Sequence, residues 1–547
     1  MSFNLSTVFA TVADTIPDRE VLIWRDQRFT YAQMNSRIDG IAHYLAGCGL
    51  GCHTERDRLA GHQSGQDHIG LYLRNGNAYP EAMVAGYRAR LAPFNVNYRY
   101  VEEELLYLLA DAGAKALVYA AEFAPHVQSI RGRLPDLQVL IQVADDSGNE
   151  LLPDAVDYES IVATPAPAAG MPTPSGDDLY ILYTGGTTGM PKGVLWRQHD
   201  IFMSAMGGRP FMAGGQPLNS YADLAEQVRA QAGFRSLLLL PPLMHGAAQW
   251  GVFNTISTGG WIALPDDVRH FDADAILRLA SRERVLGIPV VGDAMARPLL
   301  DAIETGDYDL SGLLAMTNGG APLSPTVRDR LLAALPNLMI MDAVGASESG
   351  AQMTTVVTKG AEVDAATFTP LDDTAVVAAD FSRVLQPGEG EGWLARREFV
   401  PLGYLGDAEK TARTFPTIDG VRWSIPGDRA RFLDDGRIEL LGRDSVTINS
   451  GGEKIFAEEV ERAVASHPAV YDVVVAGRPS ERWGNEVVAI VQFAENRSAT
   501  DDELVEACRV HIADYKIPKA FVRTEKVVRS PAGKADYRWA KAMAAGR

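Results

Sequence analysis

Apolar positions recur along the chain in stretches that each point to one kind of element. Ile38, Ile41, Ala42 and Leu45 are spaced to share one face of a helix. Leu105, Leu108, Leu109 and Ala112 repeat that spacing, and Gly113 supplies a helix stop before the short strand ALVY. Farther on, an apolar strand-like run ends at Tyr183. Near the C-terminus, IELLGRDSVTINSGGEKIFAEEVERAV reads as strand, turn, strand, Gly-Gly turn and then a helix turning Val460, Ala463 and Val464 inward. Helices alternating with strands predict a layered α/β architecture. We expect a large N-terminal domain of sheets and helices over residues 1–442, and a small α+β domain over 443–547 with Gly442 at the joint. No internal repeat is visible.

Two segments break the pattern. CHTERDRLAGHQSGQD, residues 52–67, is polar and has no apolar period, so a surface insertion is expected. Metal binding by His53, His62 and His68 is weighed against solvated loop histidines, and the composition favours the latter. TPAPAAGMPTPSGDD, residues 164–178, carries prolines that favour extended chain and reads as a connector.

Length and charge narrow the class. A chain of 547 residues is too long for one hydrophobic core. The formal net charge of -19 argues against general nucleic-acid binding and against anionic membranes. The run SLLLLPPLM is too short to span a bilayer, and the first residues show no basic segment ahead of an apolar core, so neither a membrane span nor a signal peptide is expected. The three cysteines form no CxxC pair and no zinc-spaced cluster, which fits a reducing cytoplasm.

The densest candidate chemistry is LYILYTGGTTGMPKG, residues 179–193. Gly185, Gly186 and Gly189 remove Cβ atoms, so successive N–H groups can point into one concavity. Thr184, Thr187 and Thr188 add hydroxyls, and Lys192 adds a mobile positive charge. Phosphate is the natural ligand. A P-loop is excluded, because Pro191 precedes Lys192 and Gly193 follows it where Ser or Thr is required.

This loop resembles the phosphate loop of the adenylate-forming enzymes, the superfamily of acyl- and aryl-CoA synthetases, luciferases and peptide-synthetase adenylation domains. Gly185 replaces the serine of the family's YTSGTTG. Further matches follow in the family's order: GGAPLS from Gly319, VGASE from Val344, IPGD ending at Asp428, GRDSVTINSGGEKI from Gly442, and SPAGKADYR around Lys534. The resemblance implies ATP contacts at Thr184, Gly185, Gly186, Thr187, Thr188, Gly189, Lys192, Gly320, Ala321, Pro322, Asp342, Ala343, Val344, Ser347, Glu348, Asp428, Arg443 and Lys534. Mg²⁺ would sit on Thr184 and Glu348, and Lys534, Glu348 and Lys192 would serve catalysis. Ser450, Gly451, Gly452 and Glu453 would face CoA.

PPLMHGAAQW, residues 241–250, matches the segment lining the acyl pocket, which implies His245, Gly246, Gln249, Trp250, Gly319 and Gly345 around the acid. His245 reads equally well as a packed histidine, and the small residues after it would leave room for a bulky chain. Taken alone, Glu348 would read as a surface acid, Asp428 as a turn aspartate and Lys534 as a solvated lysine; the resemblance reverses all three. Departures from the family are Val344 at the adenine-stacking aromatic, Ile425 and Pro426 before Gly-Asp, and Ser445 at the hinge.

The expectation is an AMP-forming acyl-CoA synthetase using ATP, Mg²⁺ and CoA on a medium-to-long, branched or ring-bearing carboxylic acid, close to bacterial fatty-acyl and steroid-side-chain CoA synthetases. An aryl-acid CoA ligase is the near alternative, and a non-catalytic nucleotide-binding protein of the same fold the distant one. A homodimer is a further expectation.

Overall fold

The computed structural model describes residues 2–164, 170–184, 190–210, 216–361, 366–443, 446–450, 453–480, 484–530 and 533–546, with the backbone alone of 449, 453 and 454. Among these residues the strands form three sheets of fifteen, eight and five members. In the largest, Glu20–Trp24, Trp261–Leu264, Ser236–Leu238, Gly287–Val290, Ala315–Gly319 and Met339–Ala346 run parallel. Gly350–Val357 then reverses direction and leads into an antiparallel region that ends with Asp428–Phe432 paired to Ile438–Arg443. The eight-stranded sheet places Leu179–Thr184 beside Ala92–Asn95, with Lys192–Arg197 antiparallel to it. The five-stranded sheet uses only residues after 443.

Local sequence explains these elements. Ile38, Ile41, Ala42 and Leu45 are fully buried on one face of helix Tyr31–Gly47, whose start is closed by a capping box between Thr30 and Gln33. Leu105, Leu108 and Leu109 are the buried residues of helix Glu102–Asp111, and the strand after Gly113 is Ala114–Ala120. Val460, Ala463 and Val464 pack inside the C-terminal sheet from helix Ala457–Ala465. Strands such as His68–Tyr72 are buried at every position, as parallel strands covered on both faces must be.

The segment 52–67 lies largely at the surface, as expected of an insertion, yet it is tied to the fold. It is closed at its base by a bridge between Cys52 and Gln66. The buried Gln66 amide accepts the Leu179 N–H at 2.7 Å and donates to the Arg90 carbonyl at 2.8 Å. The loop is thereby stapled to the first residue of the strand that leads into the phosphate loop. Its histidines also separate. His53 is exposed and lies 2.6 Å from Asp67. His68 is buried in the strand that follows, with Nε2 2.7 Å from Ser64 Oγ. It is therefore neither solvated nor grouped with the others.

A buried cation fixes the middle of the large sheet. Arg396 has no exposed surface. Its guanidinium donates to Asp373 at 2.8 and 3.1 Å, to Ser204 Oγ at 2.7 Å, to the Ser349 carbonyl at 2.7 Å, and to the Ala351 carbonyl. Asp373 also takes Arg209 at 2.5 Å. Burial pulls the Arg396 pKa down to about 10, opposed by the charge of Asp373. Gly350 lies against this group at φ +67°, where an added Cβ would run into Ser204 Oγ. Removing one member of a buried, hydrogen-bonded ion pair leaves the other uncompensated and costs about 3–5 kcal/mol. Arg396→Ala is therefore expected to destabilise the protein by about that amount, read as a lowered unfolding midpoint in urea.

Candidate active site

The site draws on strands and turns of the two larger sheets and on residues after 443. The phosphate loop joins Leu179–Thr184 to Lys192–Arg197, with Thr184 opposite Lys192 in register. Gly185, Gly186, Thr187, Thr188 and Gly189 lie outside the described residues. Lys192 departs from the mobile charge expected of it. Its ammonium sits 3.7 Å from Asp111, a carboxylate that also accepts the hydroxyls of Tyr183 at 2.9 Å and Tyr107 at 3.3 Å. Burial lowers the Lys192 pKa, but Asp111, Tyr107 and Asp407 outweigh it and the net shift is upward.

Glu348 is the middle residue of the 347–349 turn, which is held at both ends. The indole of the fully buried Trp196, on the phosphate-loop hairpin, donates to the Ser347 carbonyl at 2.9 Å. Arg396 grips the Ser349 carbonyl from the opposite direction. The Glu348 carboxylate accepts the Tyr404 hydroxyl at 2.9 Å. Gly345 is needed for a different reason from the pocket room expected of it, because an added Cβ would collide with the Gly350 carbonyl across the hairpin.

Asp342 pairs in register with Asn318, and Ala343 with Gly319. Asn318 Nδ2 donates to Asp342 at 2.5 Å and to the Ala321 carbonyl at 3.1 Å, which ties the Gly320–Pro322 turn to the Asp342 strand. Burial raises the Asp342 pKa, with Asn318 and Arg328 opposing. Val344 packs beside a cluster containing Met353, Phe368 and Ile438, so an aliphatic surface stands where relatives are expected to carry an aromatic.

Asp428 and Arg443 face each other on neighbouring strands, with Arg443 Nε 3.1 Å from Asp428 Oδ1. Asp428 is the largest cause of the raised Arg443 pKa; burial opposes it, and Glu348 and Glu458 add to it. The Arg443 backbone N–H donates to Glu458 Oε2 at 3.0 Å, and Arg462, one turn farther along the same helix, donates to the Leu440 carbonyl at 3.3 Å. Gly442 adopts φ +136°, and a Cβ there would meet the Glu458 carboxylate. Ser445, Gly451 and Gly452 lie outside the described residues. Ser450 pairs in register with Glu453, at the edge of the five-stranded sheet.

Lys534 follows a turn in which the Gly533 N–H donates to the Ser530 carbonyl at 2.8 Å and the Ser530 N–H to the Lys534 carbonyl at 2.7 Å. Gly533 abuts Val291 of the large domain. Lys534 is exposed. Burial lowers its pKa most, Arg443 lowers it further, and Glu348 and Asp428 oppose. Lys534, Arg443, Asp428 and Glu348 thus share one electrostatic neighbourhood although they are scattered over nearly two hundred residues of chain.

His245 precedes helix Gly246–Ile256. The residue is half-buried, but Nε2 itself is buried and has no hydrogen-bond partner. Burial, then Lys534 and Arg99, hold its pKa down at about 4. Two neighbours correct the expected pocket. Gly246 leaves no spare room, because a Cβ would lie 2.5 Å from Leu182 and 3.1 Å from Trp250. Gln249 is wholly committed inside the wall: it accepts from Tyr180 at 2.7 Å and donates to the Leu243 carbonyl at 2.8 Å and to Tyr79 at 3.3 Å.

Among the described residues no group of three His, Cys, Asp or Glu side chains could hold a metal ion unaided. A single carboxylate with a threonine hydroxyl is a donor set suited to Mg²⁺, which takes one or two carboxylates and completes its shell with phosphate oxygens and water. Sequence reasoning missed Asp111, Tyr404, Glu458 and Arg396, none of which carries a spacing signal.

This arrangement is that of an adenylate-forming enzyme, and the chain belongs to the AMP-binding enzyme family: the family model matches residues 9–405, and the AMP-binding enzyme C-terminal domain matches 459–534. It is 56% identical to the medium-chain acyl-CoA ligase Mig of Mycobacterium avium, over 99% of this chain and 98% of that one. It is 38% identical to the 3-oxocholest-4-en-26-oate–CoA ligase of Rhodococcus rhodochrous, over 99% of this chain and 96% of that protein. Its fold matches the crystal structure of the anthranilate CoA ligase AuaEII in complex with anthranoyl-AMP, with TM-score 0.82 and 19% identity over 100% of this chain and 98% of that one.

The low pKa of His245 sets a testable behaviour. Its ring stays neutral through the neutral range, and the neutral form is the one the fold favours. The stability it contributes is present above its unfolded pKa of about 6.5 and is lost as pH falls towards about 4. The expected outcome is a His245 ring resonance that does not titrate between about pH 5.5 and 8, assigned by its loss in His245→Gln.

Proposed function

We propose that the protein is an AMP-forming acyl-CoA synthetase that joins a medium-to-long carboxylic acid, branched and ring-bearing acids included, first to AMP and then to CoA. The observation that carries this reading is the convergence of Lys534, Arg443, Asp428 and Glu348 at the contact between the two lobes, whose boundary we place at 442/443. The medium-chain and steroid-acid ligases that resemble it support the substrate class.

A carboxylate is a poor acyl donor because its attack must expel oxide. In the first step a substrate carboxylate oxygen bonds to the α-phosphorus of ATP, the bond to the β-phosphate oxygen breaks, and pyrophosphate leaves. Lys534 lies between the carboxylate and the α-phosphate and offsets the charge that gathers there. Asp428 accepts the ribose hydroxyls, as an ionised carboxylate can, with Arg443 holding it in place. Mg²⁺, held by Glu348 and Thr184, would neutralise phosphate charge. The Tyr404 hydroxyl fixes one oxygen of Glu348 and leaves the other for that role. His245, neutral beside the acyl chain, adds no charge to an apolar pocket. In the second step the CoA thiolate attacks the acyl carbonyl and AMP leaves, with Ser450, Gly451, Gly452 and Glu453 guiding the pantetheine.

Cytoplasmic placement and a homodimer complete the proposal; no helix of the described residues is long and apolar enough to cross a membrane. CoA-dependent AMP release over a panel of acids, from hexanoate through palmitate to steroid side-chain acids and benzoates, tests the reading. Turnover of medium-to-long aliphatic or steroid acids supports it, and turnover of benzoates alone would replace it with an aryl-acid ligase. Oxyanion-type donors are worth about 2.7–4 kcal/mol each. Lys534→Ala is therefore expected to slow pyrophosphate exchange into ATP by roughly 10²–10³-fold, while thioester formation from supplied acyl-AMP largely survives. An equal loss in both half-reactions would remove Lys534 from its place between carboxylate and α-phosphate.

A further inference from the structure

Beside the residues placed so far stands a cation that none of them uses. Lys410 belongs to helix Ala408–Thr414, whose start is capped by Asp407. Its ammonium rests 3.9 Å from the centre of the Tyr404 ring. Among the described residues it has no ion pair and no hydrogen bond from that ammonium, although the side chain is half-buried. A contact with an aromatic face holds the ammonium in place but leaves its N–H groups open to something more strongly charged.

Its surroundings identify what that something is. The Tyr404 ring that carries Lys410 ends in the hydroxyl bound to Glu348 at 2.9 Å. The Tyr404 backbone pairs with Val194, and the Leu405 N–H donates to the Gly193 carbonyl at 2.8 Å. Lys410, on the helix that follows, thus rests on a residue of the edge strand beside the phosphate-loop hairpin, with the Glu348 carboxylate at the hydroxyl end of the same ring. Burial lowers its pKa, Glu348 and Asp407 oppose that, and Lys192 adds to it, so all three charges are within electrostatic reach. Lys192, the cation expected at the phosphates, is already held by Asp111. A polyphosphate entering this acidic protein needs local positive charge that is not already spent.

We propose that Lys410 is a catalytic residue that binds the β- and γ-phosphates of ATP and stays with them as pyrophosphate leaves. The assignment rests on the adenylation reading above. When the bond from the α-phosphorus to the bridging oxygen breaks, the electron pair goes to that oxygen, and the added negative charge appears on the pyrophosphate. A cation at that end stabilises the leaving group, as Lys534 serves the end where the new bond forms. Its nearest alternative is structural: Lys410 as a cation that simply rigidifies Tyr404.

Calorimetric titration of Lys410→Met and of the unaltered protein separates the two. The probes are AMP and an ATP analogue with a methylene between the α- and β-phosphates, both with MgCl₂. Hydrogen bonds to charged groups are worth about 1.5–3 kcal/mol. The analogue is therefore expected to bind Lys410→Met roughly 10–100-fold more weakly, AMP is expected to bind as before, and Lys410→Arg is expected to recover much of the loss. Equal weakening of both ligands, or of neither, would overturn the assignment and leave Lys410 as a support for Tyr404. Unaltered protein that binds the analogue and AMP equally well would overturn it too, whereas binding of neither nucleotide would bring down the adenylation reading itself.

Discussion

Arg396 places a positive charge where water does not reach, and the site depends on how that charge is satisfied. One edge of the guanidinium faces Asp373, and the rest is taken up by Ser204 and by backbone carbonyls on either side of Gly350. A guanidinium offers its donors in a fixed plane, so the carbonyls it engages are held in a fixed relation. The segment held in this way begins one residue after Glu348. The Glu348 carboxylate, proposed above to hold Mg²⁺, thus borders a segment positioned by a buried ion pair.

The same logic runs outward to the other sheets. Trp196 crosses from the phosphate-loop hairpin to the Ser347 carbonyl, and Tyr404 crosses from its edge strand to the Glu348 side chain. Glu348 therefore reports on two sheets at once. On the far side, Arg443 joins the lobes through its side chain on Asp428 and its backbone on Glu458. The bonds of Trp196 and Tyr404 lie in a water-poor setting, where they are stronger than at the surface.

Much of this was legible in the chain. Helical spacing at Ile38–Leu45 and Leu105–Leu109 placed buried faces correctly, and among the described residues the strands and the helix expected after Ile438 are present. The family motifs named Glu348, Asp428, Arg443 and Lys534, which share one electrostatic neighbourhood. What escaped was whatever depends on contacts between distant segments. Lys192 looked free because Asp111, on another helix, is invisible at its position in sequence. Gly246 looked like open space because Leu182, more than sixty residues earlier, fills it. The anchoring of the 52–67 surface segment was not visible because Gln66 acts on the Leu179 backbone, far along the chain. Composition describes what a segment can do, and only the fold says which partner it meets.

The grip of Glu458 on the joint has a consequence for how this lobe contact can evolve. Its carboxylate takes hold of an amide hydrogen, which every amino acid except proline provides, and not of the side chain at that position. The anchorage is accordingly indifferent to most replacements at 443, which leaves the guanidinium there to face Asp428. The demand for identity falls instead on the neighbouring glycine, whose missing Cβ is the space the carboxylate occupies.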